Sequence, residues 1–141
     1  MNDKCFVDTS VLVYAHDRTA GTKHHRALQL VEELWNSGKG VVSTQVPQEL
    51  CVNLRKKVDP PCPGDELRRL ILDHMSWEVM ANTAESIVEA LDLEVRYRTW
   101  FWDALILHSA LHCGATILYT EDLAPGEKYG AIQVVSPLIA H

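Results

Sequence analysis

The feature that most constrains this chain is the alternation of short apolar runs with longer helical patterns. Strand-like runs lie at 5–7, 41–42, 77–80, 116–119 and 132–135, and amphipathic helical segments separate most of them. Buried strands separated by helices are typical of parallel strands joined by crossover helices. The sequence therefore predicts the α/β class, with a central parallel sheet and helices on both of its faces.

The length of 141 residues is that of one ordinary domain. The main proline-rich break is the loop at 59–64, which is too short to separate two domains, so one domain over 1–141 is expected. Apolar runs such as 11–15 are too short to span a bilayer, and the start of the chain does not resemble a signal peptide. The four cysteines form no C-x-x-C pair. We therefore expect a cytoplasmic protein with reduced thiols and no membrane partner.

Acidic side chains follow the predicted strands. Asp8 comes directly after the first strand, and Asp122 follows the strand at 116–119. Asp103 opens a predicted helix just before that strand, and Glu49 lies about one turn into the helix after the second strand. Because ligands gather at the carboxyl ends of parallel strands, these four acids are expected at one edge of the sheet.

Clustered carboxylates repel one another and lose hydration when buried, so such a group is costly unless it binds cations. Hard oxygen ligands select Mg²⁺ or Mn²⁺ rather than zinc. Two such ions about 3.5–4 Å apart would clamp a phosphate, and one would lower the pKa of a bound water. The set indicates metal-assisted phosphodiester hydrolysis with one or two ions, although each acid alone fits a turn, a helix terminus or a solvated surface.

The net charge of −6 is concentrated in residues 71–141, which carry a formal charge of −7. Such a field does not attract nucleic acid, but two Mg²⁺ ions would raise the total to −2. Local basic residues could position phosphates without specifying bases, or could simply be solvated helix faces. These candidate RNA-binding residues are Arg55, Lys56, Lys57, Arg68, Arg69, Arg96 and Arg98.

Four short sequence motifs, which occur in a fixed order along the chain, carry a family resemblance. They are FVDTSVL at 6–12, QEL at 48–50, FWDALI at 101–106 and LYTEDL at 118–123. Together they span nearly the whole chain. The chain resembles a PIN domain, and most closely the VapC-type ribonuclease toxins of prokaryotic toxin–antitoxin pairs.

The resemblance implies a three-layer α/β/α sandwich and RNA cleavage that depends on Mg²⁺ or Mn²⁺. It also implies a homodimer, and a small antitoxin whose C-terminal segment blocks the site. The implied catalytic and metal-binding residues are Asp8, Glu49, Asp103 and Asp122. Ser10 and Thr120 match hydroxyl positions that support the first acid and the loop near the metals, and Glu121 ranks below Asp122 because its position varies.

Three other functions fit the sequence less well than a ribonuclease. A catalytically silent module that binds RNA or protein is the main alternative, and the presence of all four acids argues against it. An aspartyl-phosphate phosphatase would need Asp-x-Asp after the first strand, but position 10 is Ser. A phosphoacceptor receiver domain would need paired acids there and a late lysine, and neither pattern is seen.

Two further patterns favour structural interpretations. His108 and His112 share a helix face, as zinc ligands can, but no third ligand has a recognisable spacing, so a packed or surface pair is preferred. Trp100, Phe101 and Trp102 could stack on RNA bases, although packing in the core or in a dimer interface is the favoured interpretation.

Overall fold

The computed structural model describes residues 3–124 and 126–138, which form six strands and six α-helices around one sheet. The strands are β1 (Cys5–Val7), β2 (Gly40–Ser43), β3 (Glu78–Met80), β4 (Ile117–Tyr119), β5 (Lys128–Tyr129) and β6 (Ile132–Val135). The helices are α1 (Thr9–His16), α2 (Thr22–Ser37), α3 (Gln45–Lys56), α4 (Gly64–His74), α5 (Ala84–Tyr97) and α6 (Phe101–His112).

The sheet order is β3-β2-β1-β4-β6-β5, and every pairing except β5 with β6 is parallel. The chain first winds outward from β1 through β2 to β3, and then crosses back to β4 on the other side of β1. Reversal of the winding direction between β1 and β4 makes that boundary the topological switch point, where ligands bind in open α/β sheets.

Helices cover both faces of this sheet. Right-handed crossovers place α1 to α4 on one face and α5 with α6 on the other, because the winding direction reverses after β3. The helix contacts agree: α1 packs on α2 and α3, whereas α5 packs on α6. Phe6 and Val7 of β1 and Leu118 of β4 are fully buried between the two layers. The predicted α/β/α sandwich with a central parallel sheet is confirmed, and the antiparallel strand β5 is the one departure among the described strands.

The sequence did not predict β5. This two-residue strand pairs antiparallel with β6 across a turn at Gly130, whose φ of 61° suits glycine. The strand consists of Lys128 and Tyr129, so it contains no apolar run. In the structure Lys128 is exposed and Tyr129 is half-buried. Hydrophobic patterning therefore gave no signal for this edge strand.

The exposed face of α5 also differs from expectation. Ile87, Leu91 and Val95 are spaced by four residues, which predicts the buried apolar side of an amphipathic helix, yet all three are exposed, Val95 by 79%. The buried face instead carries Ser86 and Ala90, because small residues allow α5 to approach α6 closely. A spacing of four residues shows which side chains of α5 share one helix face. It does not show which face of the helix packs against the core.

Two further structural findings bear on the sequence predictions. Within the described residues 3–124 and 126–138, no helix has the length and apolar character that crossing a membrane requires. The four cysteines are all free thiols; Cys5 is buried, and the other three are half-buried.

Candidate functional site

A cleft of about 260 Å³ opens at the switch point, at the carboxyl ends of β1 and β4. The four acids that the sequence selected come from four separate segments, and all four line this cleft. Ser10, Glu121 and Lys57 line it as well. The lining acidic residues are Asp8, Glu49, Asp103, Glu121 and Asp122.

Asp8 is the most deeply placed of these acids, with 5% of its surface exposed. Its backbone N–H donates to the Tyr119 carbonyl at 3.0 Å, which extends the β1–β4 pairing by one residue. Its carboxylate accepts from the Thr9 backbone N–H and from the Thr120 hydroxyl, each at 2.7 Å. Asp8 is therefore the N-cap of α1, although the hydroxyl residues Thr9 and Ser10 that follow it are also residue types that commonly cap helices.

The surroundings of Asp8 shift its pKa in opposite directions. Burial raises the pKa of Asp8 to about 7, the Thr120 hydrogen bond lowers it, and the Asp122 charge raises it again, with smaller effects of Thr9 and Glu49. The two donors stabilise the ionised form, whereas the neighbouring carboxylates and the lack of solvent favour the neutral form. A cation in the cleft would shift this balance towards the carboxylate.

Glu49 approaches the cleft from α3. Its Oε1 accepts from the Thr9 hydroxyl at 2.8 Å and from Gln45 Nε2 at 3.2 Å. Gln45 lies one turn earlier on the same helix and also donates to the Trp102 carbonyl at 3.3 Å. Thr9 thus links the β1 end of the cleft to α3, and Gln45 links α3 to α6.

Asp103 and Asp122 lie towards the open side. Asp103 is the third residue of α6 rather than its first, and it is half-buried. Burial raises the pKa of Asp103 to about 6, and the charges of Asp122 and Glu49 add to the increase. Asp122 is exposed, and its backbone N–H donates to the Thr120 hydroxyl oxygen at 3.1 Å. Thr120 therefore holds both Asp8 and the loop that carries Asp122.

The basic residues are dispersed. Lys57 is the only one of the seven candidates among the residues that line the cleft. Arg55 and Arg68 line a separate cavity of about 280 Å³ between α3 and α4. Arg69 borders another cavity on α4, and Lys56 is exposed at the end of α3. Arg96 and Arg98 are exposed at the end of α5, where Arg96 lies over the Tyr97 ring.

The aromatic segment before Asp103 is more exposed than expected. Trp100 is 81% exposed and Trp102 is 62% exposed, while Phe101 is half-buried against the α5–α6 contact. Core packing was therefore wrong for Trp100 and Trp102, and packing in a dimer interface stays a prediction. Trp102 lines the cleft, because it immediately precedes Asp103.

Several cleft residues were missed from the sequence. Thr9 had no signal in the sequence, because its contact with Glu49 joins residues 40 positions apart. Gln45 had a usable signal, because it lies four residues before Glu49 on one helix. Lys23, whose Nζ lies 3.4 Å from Glu121 Oε2, had none, since α2 and that loop meet only in the folded chain.

The donor set suits a hard cation. The cleft is lined by carboxylates, hydroxyls and amides, with neither histidine nor cysteine among its lining residues. Two buried polar atoms beside it, Ser10 Oγ and Gln45 Oε1, have no hydrogen-bond partner within the described part of the chain. Among the described residues, no three carboxylates of the cleft have oxygens that all lie within 4.8 Å of one another, as expected for like charges that repel one another.

Solved structures of toxin–antitoxin proteins share this fold. A toxin–antitoxin complex from Klebsiella pneumoniae is 20% identical with a TM-score of 0.68, and the match covers 95% of this chain and 98% of that one. VapC20 from Mycobacterium tuberculosis, described as a toxin that cleaves the sarcin–ricin loop, is 22% identical with a TM-score of 0.65, over 84% and 90% of the two chains. DNA-bound VapBC from Salmonella typhimurium is 15% identical with a TM-score of 0.64, over 94% and 96%.

At these identities, the structural matches establish the fold alone. No curated protein matches the chain at a significant level of sequence similarity. The sequence model of the PIN domain, in contrast, matches residues 5–127, which include all four acids of the cleft. This chain belongs to the PIN domain family.

Proposed function

We propose that this protein is a metal-dependent endoribonuclease that hydrolyses RNA phosphodiester bonds, and that it is the toxin of a type II toxin–antitoxin pair. The observation that carries this proposal is the convergence of Asp8, Glu49, Asp103 and Asp122 in one cleft at the switch point of the sheet. Membership in the PIN family and the fold shared with VapC-type toxins support it.

In this proposal the four carboxylates hold one or two Mg²⁺ or Mn²⁺ ions. A bound ion of this kind polarises a phosphate oxygen and lowers the pKa of a water molecule. Asp8 is the central ligand, because it is buried and its orientation is fixed by two short hydrogen bonds. Glu49 is held in the same way by Thr9 and Gln45.

The hydroxyl residues position the ligands. Thr120 donates to Asp8 and accepts from the backbone of Asp122, so it sets the separation of these two acids. The unpartnered Oγ of Ser10 and Oε1 of Gln45 are available to orient a water or a substrate hydroxyl in the cleft. Glu121 forms an ion pair with Lys23 at the rim and has a lesser role.

RNA would contact the cleft through a small number of groups. Lys57 is placed to bind a phosphate beside the carboxylates, and the exposed Trp102 offers a face on which a base can stack. The remaining basic candidates would contact RNA only if it extended along α3, α4 or the end of α5.

The partners follow from the same proposal. We expect a small antitoxin to block the acidic cleft, in line with the toxin–antitoxin complexes among the similar structures. The exposed apolar side chains of α5, among them Val88 and Val95, support a homodimer interface. The PIN match over 5–127 supports one domain over 1–141. We expect the proposed activity to take place in the cytoplasm.

The test is a cleavage assay with purified protein and structured RNA, including fragments with a sarcin–ricin-type loop. We expect cleavage with Mg²⁺ or Mn²⁺, none with a chelator, and almost none with Asp103→Asn. Asp92→Asn is the matched control, because Asp92 is an exposed carboxylate of α5 outside the cleft. RNA binding without cleavage in either metal would favour the silent binding module instead.

A further inference from the structure

A second cluster of metal-ligating side chains lies outside the acidic cleft, on the pair of helices α5 and α6. Glu89 of α5 and His108 and His112 of α6 each offer one ligand atom, and these atoms all lie within 4.8 Å of one another. His108 Nδ1 is 3.1 Å from Glu89 Oε2, and the two imidazole rings have centroids 5.5 Å apart. Glu89 is the third ligand that sequence spacing could not supply.

The helix packing fixes these side chains relative to one another. Ala90, next to Glu89, packs against Ala104 and Leu105 of α6, and all three are buried. His108 is itself buried, whereas Glu89 and His112 are exposed. The cluster therefore combines one rigid ligand with two that are accessible to an incoming ion.

The protonation state of His108 is compatible with ligation. Burial lowers the pKa of His108 below its usual range, Glu89 opposes this effect, and His112 adds to it. At neutral pH the buried imidazole is neutral, which is the form that binds a metal.

We propose that Glu89, His108 and His112 form a Zn²⁺ site that joins α5 to α6. Two imidazole nitrogens and one carboxylate oxygen are a borderline donor set that suits zinc, in contrast to the oxygen donors of the acidic cleft. Cys113 is not an obvious fourth ligand, because its thiol donates to the Ala110 carbonyl at 3.3 Å. The fourth position is left to water.

Zinc at this site would fasten the helix that carries Asp103 to its neighbour. Since the ion would bind the folded chain and not the unfolded one, it would stabilise the fold. We expect a rise in Tm of about 5 °C at saturating zinc. The cluster lies outside the acidic cleft, so this inference does not depend on the proposed ribonuclease activity.

The test is a calorimetric titration of the full chain with Zn²⁺ in excess Mg²⁺, which occupies oxygen-only sites. We expect about one zinc per chain with a dissociation constant on the order of 1 µM. His112→Ala and Glu89→Gln alter exposed side chains, so they should fold, and each should weaken zinc binding tenfold or more and abolish the rise in Tm. His25→Ala, which removes an exposed histidine of α2, is the matched control and should keep both properties.

Two outcomes would overturn the zinc site: no zinc uptake by the wild-type chain, or equal uptake by wild type and His112→Ala. Asp103→Asn separates this proposal from the ribonuclease. It should lose cleavage yet bind zinc as the wild type does, whereas a parallel loss of zinc would place the ion in the acidic cleft.

Discussion

The acidic cleft and the histidine pocket of this protein both bury titratable side chains, with different consequences. The histidine pocket consists of His16, Trp35, His74 and Trp77, whose rings meet edge to face or tilted. Burial lowers the pKa of His16 to about 4, and the neighbouring His74 adds to this effect. Burial likewise raises the pKa of Asp8 to about 7. In both regions the loss of water favours the neutral form.

The partners of the buried groups make the difference. Asp8 receives two hydrogen-bond donors that stabilise its charged form, and four further carboxylates line the same cleft together with Lys57. In the histidine pocket, His16 Nε2 lies 3.3 Å from His74 Nε2, and aromatic rings enclose the pair. In the acidic cleft, a bound cation would stabilise the charged form of Asp8. In the histidine pocket, His16 and His74 are stable as a neutral pair.

The largest expected effect of a substitution in the acidic cleft is on cleavage. Asp8→Asn should lower the rate of RNA hydrolysis by about a thousandfold, because it removes the central ligand of the proposed metal site. The measurement is the initial rate of cleavage with Mg²⁺, alongside a thermal melt of the metal-free protein. The melt should be equal or higher in Tm, since the substitution relieves repulsion.

His16→Phe is the matched change in the histidine pocket. It should leave the cleavage rate within about threefold of wild type, because His16 belongs to the neutral pair and holds none of the proposed metal. Full activity in Asp8→Asn, or comparable losses in both variants, would remove the functional distinction between the two regions.

Metal affinity should depend steeply on pH. The pKa values of Asp8 near 7 and Asp103 near 6 mean that protons compete with the cation for these carboxylates. Between pH 8 and pH 6 the apparent affinity for Mg²⁺ should fall by about 10- to 100-fold. Calorimetric titrations at the two pH values measure this, and an affinity independent of pH would contradict it.

The Thr120 hydroxyl should make a smaller contribution. Thr120→Val keeps the shape but removes the donor to Asp8, so the pKa of Asp8 should rise further and cleavage at pH 7 should fall by about tenfold. Raising the pH should restore part of the rate, which a purely structural defect would not allow. Thr116→Val, just before β4 and at the opposite end of that strand, is the control.

The smallest expected effect is on the stability of the folded protein. As the pH changes, Asp8 and His16 alter this stability in opposite directions. The native state holds a proton on Asp8 that the unfolded chain releases above pH 4, so between pH 4 and 7 this group makes the metal-free protein less stable as pH rises. His16 is neutral in the native state down to about pH 4 but charged when unfolded below about pH 6.5, so it makes the protein less stable as pH falls through that range.

Asp8→Asn should therefore stabilise the metal-free protein more at pH 8 than at pH 5. His16→Phe should flatten the loss of stability below pH 6.5. Urea titrations across this pH range measure both slopes. Identical pH profiles for wild type and both variants would contradict the assignment of these two groups.

The sequence predicted the convergence of the four acids better than it predicted the packing around them. Asp8 and Asp122 could be identified because they follow apolar strands, and parallel strands bring their carboxyl ends to one edge. The contact of Thr9 with Glu49 could not be predicted from the sequence, because it depends on how α1 packs on α3. The exposed stripe of α5 and the approach of Glu89 to His108 likewise depend on how two helices pack, which spacing within one helix does not determine.

The central claim, that the four carboxylates of the cleft bind a divalent cation, is tested most directly by calorimetric titration with Mg²⁺ at pH 8. The account predicts that the wild-type chain takes up one or two ions and that Asp8→Asn and Asp103→Asn each lose most of this binding. Absence of Mg²⁺ uptake by the wild type, or equal uptake by the three proteins, would contradict it.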